Sequence, residues 1–473
     1  MPGTRKPNVL LIISDDHGYG DRSATGLCPD VSTPALDRLA ADGVDYSDAY
    51  VTAPICSPSR SSLIVGVHQK RWGGHWFNDS AMAPETFQTL PERLVEDGYR
   101  TGYFGKVHYG HEEPGDRACP EQHGFQEVYY GLAAGQMGRL NYLRHSAQAV
   151  ADYGPEASWR MAVQPMFEGA GGAVQESELE GFLTEELGRR TREFIAGDGQ
   201  PEAQPFFAML AFNAVHNFCW QLPDDELAAR GLPALADWSE TAGSYLDWYE
   251  EAINPNLANG RAYYLAQLEL MDRQIGLILD QLDEAGIAED TLVFYLTDNG
   301  GSTCNYGDNA PLRGTKYTLY EGGIRVPFLA RWPGGGFSGG RTESGTVSSL
   351  DIAPTVLRAA GVPGSGVLDG VDLAEPLPPG REFHWDCGWT WAVRCGDWKL
   401  TWTDPDSEAA KMVRLIEHAD PGSGYRLHNL AEDLGEQHDV QASRPDIVED
   451  LQRRRRDWVA SLEWPDQQVE RRD

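Results

Sequence analysis

The chain reads as an α/β protein with one large, mostly parallel sheet sandwiched by helices, followed by a small α+β subdomain. Over the N-terminal three quarters, short apolar runs alternate with helix-spaced patterns, and that alternation is the mark of parallel strands joined by crossover helices. After about Pro379 the texture changes to an aromatic, turn-punctuated stretch, Trp385 to Trp402, and then to a helical pattern from Asp446 to Leu462. A length of 473 residues gives ample material for a deep core plus an appendage, so we divide the chain into residues 1–379 and 380–473.

Asn8 to Ser14 is the first buried strand. Thr33 and Pro34 supply an N-cap and a first-turn proline, after which Leu36, Leu39 and Ala40 recur at helical spacing until Gly43. A second helix opens at Pro91 and closes at Gly98, with Leu94 and Val95 inward. Further strands are expected at Thr101 to Phe104, Phe206 to Phe212 and Thr291 to Leu296. From about Leu140 to Ser177 the pattern weakens, which predicts an excursion from the core and a substrate-facing rim. The longest helix should run from Ala262 to Ala285, its stripe made by Leu265, Leu268, Ile275, Ile278, Leu279 and Leu282 and its end set by Gly286. Gly/Pro-rich stretches at Pro333 to Gly340 and Gly361 to Gly370 bracket one more helix, starting near Asp351 and Pro354.

Charge narrows the function. The 39 basic against 72 acidic residues give a net charge of -33, which repels nucleic acid and anionic membranes at long range. The run Val9 to Ile13 is too short to span a bilayer and lacks a signal-type flank, so the sequence predicts a cytoplasmic protein without an anchor. Seven scattered cysteines, without paired spacing, fit neither a disulfide framework nor a zinc site.

Four predicted strands run into chemically distinctive residues: Asp15-Asp16, then Lys106 and His108, then His216, then Asp298-Asn299. In an open parallel sheet, ligands bind beyond the carboxyl ends of the strands, so these residues should gather along one edge. Three carboxylates and an amide oxygen form a hard donor set suited to calcium or magnesium. Either acidic pair alone reads equally as a solvated turn; the metal reading depends on both converging. Cys56-Ser57-Pro58-Ser59-Arg60 is the most specific segment, because Ser57 can cap a helix, Pro58 suits its first turn, and Arg60 with the free N–H groups can hold a tetrahedral anion beside Cys56. An isolated cysteine is otherwise a small buried hydrophobe.

These motifs resemble the sulfatase family of the alkaline-phosphatase superfamily. Asn8 to Asp16 is similar to its opening strand and metal motif, and Cys56-x-Pro58-x-Arg60 to the site at which a modifying enzyme oxidises cysteine to formylglycine. Gly98 to His108, Thr297 to Gly300, Gly314-Thr315-Lys316, Tyr320 to Pro327 and Arg426 to Val440 resemble further family segments, covering nearly the whole chain. The resemblance implies an alkaline-phosphatase-like fold and a sulfate-ester hydrolase acting on an aryl or carbohydrate sulfate. It also implies calcium as the ion, with magnesium possible on ligand chemistry, bound by Asp15, Asp16, Asp298, Asn299 and the hydrated aldehyde from Cys56. One hydroxyl of that hydrate would attack sulfur and form a covalent sulfate ester. His216 with Lys316 would protonate the leaving group, His108 would take the proton from the remaining hydroxyl to release sulfate, and Arg60, Lys106 and Lys316 would neutralise the sulfate oxygens. Only six lysines occur in the chain, and two of them stand in these motifs.

Two alternatives accompany this reading: a phosphodiesterase or phosphonate monoester hydrolase using the same activated Cys56, and a silent sulfated-glycan-binding protein in which Cys56 stays a thiol. Arg71, Trp72, His75 and Trp76 read as half-buried packing or as a wall for a sugar or aryl group. The cluster Trp385, Trp389, Trp391, Trp398 and Trp402 reads as core, and His17 and Asn305 as local loop contacts or ligand neighbours.

Overall fold

A computed structural model describes residues 6–110, 112–132, 166–177, 181–197, 204–216, 218–235, 257–363 and 366–462. Its main sheet contains β1 (Asn8–Ser14), β2 (Val44–Tyr46), β4 (Arg100–Lys106), β5 (Glu127–Gly131) and β6 (Met166–Ala170). The same sheet includes β7 (Ala173–Ser177), β8 (Phe206–Ala211), β9 (Thr291–Thr297), β10 (Phe328–Arg331) and β11 (Arg341–Glu343), while β3 (Ala49–Tyr50) pairs separately with β12 (Val347–Ser348). The order is β11, β2, β10, β9, β1, β8, β4, β5, β6, β7. The five central strands, β9 to β5, are parallel, as the alternating sequence requires. The flanks are mixed: β10 runs antiparallel to β9 and β2, and β6 and β7 form an antiparallel hairpin on the far edge.

Strand β1 shows how both faces are covered. Its Leu10 and Ile12 enter a core with the helices Pro34–Asp42, Leu183–Ala196 and Gly260–Glu284, whereas Val9, Leu11 and Ile13 enter a second core with the helices Cys56–Val65, Leu90–Glu96 and Ile352–Ala360. Within the long helix, Leu268, Ile275, Ile278, Leu279 and Leu282 are buried as the stripe predicts. No helix among the described residues is long and apolar enough to cross a membrane.

Three local expectations need correction. Thr33 does not cap the helix Pro34–Asp42: its Oγ1 accepts from Ser23 N at 3.0 Å, and Asp272 of the long helix accepts from Ala35 N and Leu36 N at 2.8 and 2.9 Å instead. A tertiary carboxylate reaches both orphan donors and displaces the local cap. Ser57 is not a cap either, because the helix begins one residue earlier at Cys56, after an extended Ile55. The stretch Leu140 to Ser177 is not wholly an excursion: 166–177 add the β6–β7 hairpin to the sheet, and 140–165 lie outside the described residues.

The C-terminal part carries its own antiparallel sheet, β13 (Glu382–Asp386), β14 (Thr390–Cys395), β15 (Trp398–Thr403) and β16 (Gly424–Asn429), in that order. Leu451 of the helix Pro445–Ser461 packs on Val393, Leu400 and Leu427 of this sheet. The tryptophan cluster divides: Trp385 is core and donates from Nε1 to Val51 O at 2.7 Å, whereas Trp391, Trp398 and Trp402 are half-buried.

A buried ionic cluster joins this part to the main sheet. Lys399 on β15 pairs with Glu321 at 2.8 Å and Glu436 at 3.1 Å, and Arg394 on β14 forks onto both oxygens of Asp48 at 2.7 and 2.8 Å. Beside it, His384 of β13 stacks on Trp458 with ring centres 4.6 Å apart. Burial pushes His384 down to about 3 and His68, the other ring against Trp458, down to about 4. Below about pH 6.5 the unfolded chain therefore takes up protons that the folded chain refuses, so these histidines withdraw stability as pH falls. Each is expected to cost up to roughly 1.4 kcal/mol per pH unit through that window. Urea unfolding at pH 6.5 and 5 should show wild type losing stability relative to His384→Phe, which keeps a ring on Trp458 and does not titrate; parallel curves would contradict this.

Candidate active site

The sheet register delivers the predicted residues to one edge. Ser14 lies opposite Thr297, so the next residues of β1 and β9, Asp15-Asp16 and Asp298-Asn299, emerge side by side. On the other side of β1, β8 leads through Asn213 to His216, and β4 beyond it delivers Lys106 and His108. Gly105 permits a close approach there, since its φ is 127° and an added Cβ would lie 1.8 Å from Ala211 O. The helix Cys56–Val65, buried over all ten residues, closes the site from the second core. It satisfies Ser61 and Ser62 by bonding back to Pro58 O and Ser59 O at 3.1 and 2.9 Å.

All the predicted site residues are buried, and most are directly linked. Cys56 Sγ donates to Asp15 Oδ1 at 3.6 Å. Arg60 donates from Nε to Asp298 Oδ2 at 2.7 Å and from Nη2 to Asp15 Oδ2 at 3.2 Å, while Lys106 also bonds Asp15 Oδ2. Lys316 Nζ lies 2.8 Å from both oxygens of Asp16 and 2.9 Å from His216 Nε2. Asn299 Nδ2 donates to Asp16 Oδ1 at 2.7 Å. His108 shares this electrostatic environment and lies under the ring of Phe77, with centres 6.5 Å apart.

Burial and neighbours set the charges. Desolvation would push Asp15 up, but the Lys106 ammonium and the Arg60 guanidinium hold it well below the usual carboxylate range. Burial, with Asp15 and Asp298 adding like charge, pushes Asp16 up to about 7 despite Lys316. Burial opposes the Lys316 charge, yet Asp16 keeps it an ammonium. His108 and His216 are driven well below their ordinary value, first by burial and then by Lys106 and Lys316 respectively, so both rings are neutral at pH 7. Burial and the Asp15 and Asp298 charges push the Cys56 thiol far up, which makes it a poor nucleophile as it stands.

Strain and unmet bonding also concentrate here. Asp16, His108 and Tyr317 have φ of 57°, 63° and 71°, left-handed values that non-glycine residues rarely adopt. Asn299 Oδ1, Asn213 Oδ1 and Nδ2, His108 Nδ1, His216 Nδ1 and Ser57 Oγ are buried without a hydrogen-bond partner among the described residues. Ligand atoms of Asp15, Asp16, Cys56 and His216 lie within 4.8 Å of one another. The raised Asp16, the unpaired Asn299 oxygen and the adjoining Asp298 make an oxygen-rich set that fits a hard divalent cation.

Of the two residues that the sequence left open, Asn305 and His17, only Asn305 bonds Asp16. Asn305 donates from Nδ2 to Asp16 Oδ2 at 2.8 Å, whereas His17 is taken up by Tyr295 OH and Asp21 O, both at 2.6 Å. An aromatic wall stands over His108 and Lys316: Phe77 and Tyr317 lie 5.7 Å apart, and Trp76 contacts both and also Trp389 of the C-terminal part. Trp76, Phe77 and Trp389 are only half-buried. Arg71 is instead paired with Asp369, away from the wall.

Residues 7–362 match the family model described as Sulfatase. N-acetylgalactosamine-6-sulfatase of Homo sapiens is 30% identical over 457 residues, 90% of this chain and 77% of the relative. Arylsulfatase A of Homo sapiens is 29% identical, over 94% of this chain and 86% of the relative. Among solved structures, Ps i-CgsB in complex with k-i-k-neocarrahexaose superposes with a TM-score of 0.78 at 26% identity, covering 98% of this chain and 94% of that one. The shared architecture is the alkaline-phosphatase-like fold.

Proposed function

The chain belongs to the sulfatase family, a family of sulfuric-ester hydrolases, and on that footing we propose that it hydrolyses the sulfate ester of a ring-bearing alcohol or phenol with a nucleophile made from Cys56. The observation that carries this is the meeting of Cys56, Asp15, Asp16 and His216 within 4.8 Å at the ends of separate elements. A thiol held protonated and fully buried beside two carboxylates is badly suited to attack an anion, so its oxidation to formylglycine by a maturation enzyme is the modification this site calls for. Asp15, Asp16, Asp298 and Asn299 would hold a calcium or magnesium ion. Once in place, the aldehyde hydrate supplies the attacking hydroxyl and the ion supplies Lewis acidity.

The chain's own residues then divide the work. Arg60 and Lys106 keep Asp15 ionised and place two positive charges beside the position-56 side chain, where the sulfate oxygens gather charge. Lys316 donates to His216 Nε2, which places the neutral ring's proton on Nδ1. His216 Nε2 is the ring atom that faces the cluster, 3.4 Å from Asp16 Oδ2 and 2.9 Å from Lys316, so the Lys316–His216 pair would protonate the departing oxygen from that side, the proton coming from the Lys316 ammonium. Neutral His108, with Nδ1 unpaired among the described residues, is suited to accept a proton during sulfate release. The half-buried faces of Trp76, Phe77 and Trp389 stand next to these groups and suit the flat face of an aryl ring or the C–H face of a sugar.

Side-by-side assays with nitrophenyl sulfate and a nitrophenyl phosphate diester test the reading. Sulfate release should have the higher kcat/KM by at least about tenfold, or about 1.4 kcal/mol of transition-state preference. A larger kcat/KM on the phosphate diester would replace the proposal with a phosphodiesterase or phosphonate hydrolase. Absence of turnover on either ester would leave the sulfated-glycan-binding alternative.

A further inference from the structure

A single carboxylate of the C-terminal part fastens together the two loops that carry the Asp16 partners. Glu417 is buried to 2% exposure just beyond the helix Glu408–Ile416. Its Oε1 accepts from Ser302 Oγ at 2.6 Å, and its Oε2 accepts from Thr303 N at 2.7 Å, Thr303 Oγ1 at 2.8 Å and Thr315 Oγ1 at 3.0 Å. Ser302 and Thr303 lie in the loop from Asn299 to Asn305, whose two asparagines donate to Asp16. Thr315 immediately precedes Lys316, whose ammonium spans Asp16 and His216. Both loops also converge on Gly301 O, which accepts from Thr315 Oγ1 at 2.9 Å and Lys316 N at 3.1 Å. No cation faces the Glu417 carboxylate among the contacts described; it is satisfied by hydroxyl and amide donors from these loops.

We infer that Glu417 is a positioning residue, holding Lys316 at His216 and Asn305 at Asp16 from outside the catalytic part. The physical reason is geometric. Lys316 reaches His216 along a flexible four-carbon stem, so the 2.9 Å contact depends on where the Lys316 backbone is pinned. That backbone is tied at Gly301 O, and Glu417 is the clamp holding Thr315 against the Ser302–Thr303 turn. A displacement of about 1 Å at such a contact is enough to cost about 100-fold in rate. The inference rests on the proposal that the Lys316–His216 pair protonates the leaving group, and the test separates the two.

The decisive readout is how the loss depends on the leaving group. An alkyl sulfate needs its oxygen protonated as it departs, whereas nitrophenolate leaves unaided. With calcium-loaded, formylglycine-bearing enzyme, Glu417→Ala should lower kcat on an alkyl sulfate by about 100-fold and on nitrophenyl sulfate by less than about tenfold. Glu417→Gln keeps one acceptor for the Thr303–Thr315 side and should restore most of the rate on both esters. Thr315→Val removes the hydroxyl that meets Glu417, Gly301 O and Thr303 N but leaves the Ser302 and Thr303 bonds to Glu417 and the Lys316 N bond to Gly301 O in place, so it keeps the test open if the alanine variant fails to fold, and it should show the same ester selectivity. Equal losses on both esters, or a loss that tracks a lowered melting temperature, would overturn the positioning role. If instead Lys316→Ala and His216→Ala also lose equally on both esters, the protonation proposal is what fails.

Discussion

Replacing Cys56 with alanine is expected to lower sulfate release by about 10,000-fold or more while leaving the protein folded. On the proposed mechanism the position-56 side chain is the nucleophile, and loss of a nucleophile leaves only binding and electrostatic stabilisation behind. The fold survives because Cys56 makes one weak sulfur contact, 3.6 Å to Asp15, at the first position of a helix held by nine other buried residues. Turnover of nitrophenyl sulfate and thermal unfolding of the same preparation check both halves. An alanine variant retaining a tenth of the wild-type rate would remove Cys56 from the chemistry.

The second large effect concerns stability. Lys399→Met should destabilise the protein by about 3–5 kcal/mol, because it removes one partner of a fully buried ion cluster and leaves two carboxylates facing each other. Glu321 N also donates to Glu436 Oε2 at 2.6 Å, so the two acids cannot separate without breaking the backbone link. Burial and the Glu321 charge already push Glu436 up to about 7 despite Lys399, and without that ammonium it must take up a proton to stay buried. The variant's folded state therefore holds this proton to higher pH than the wild type's, which takes it up only near 7, so the loss should shrink as pH is lowered from 9 to 7 and level off below. Glu436→Gln in the Lys399→Met background should recover part of the loss. Denaturant titrations of wild type, Lys399→Met, Glu436→Gln and the double variant at both pH values measure this; additive effects with no pH dependence would show that the cluster does not act as a unit.

Much of the site was legible because its residues sit where a pattern changes. A five-residue apolar run, Val9 to Ile13, followed closely by Asp15-Asp16, and another, Leu292 to Leu296, followed closely by Asp298-Asn299, mark strand ends without reference to neighbours. The parallel order of the sheet then brings them together. Strands β2, β10 and β11 were not legible, since three or four residues are too few to show a period and their pairing is decided by the neighbouring edge. Thr33 misled as a cap because Asp272, more than two hundred residues away, supplies a better acceptor for the same donors. Glu417 looks like any acid near an exposed helix end, and Lys399 like the outward residue of an amphipathic strand. Both are buried against distant partners, Lys399 against Glu321 and Glu417 against Ser302 and Thr303. Asn305 could be named but not assigned, for its partner Asp16 is separated from it by most of the chain.

The central claim is that position 56 is not a thiol in the working enzyme. Mass spectrometry of the peptide spanning Cys56, from a preparation whose sulfate release per molecule is measured in parallel, tests it most directly. The account predicts a residue in which the thiol carbon has become an aldehyde or its hydrate, in a fraction that matches the active fraction. A fully active preparation whose peptide carries only the unmodified thiol would contradict it.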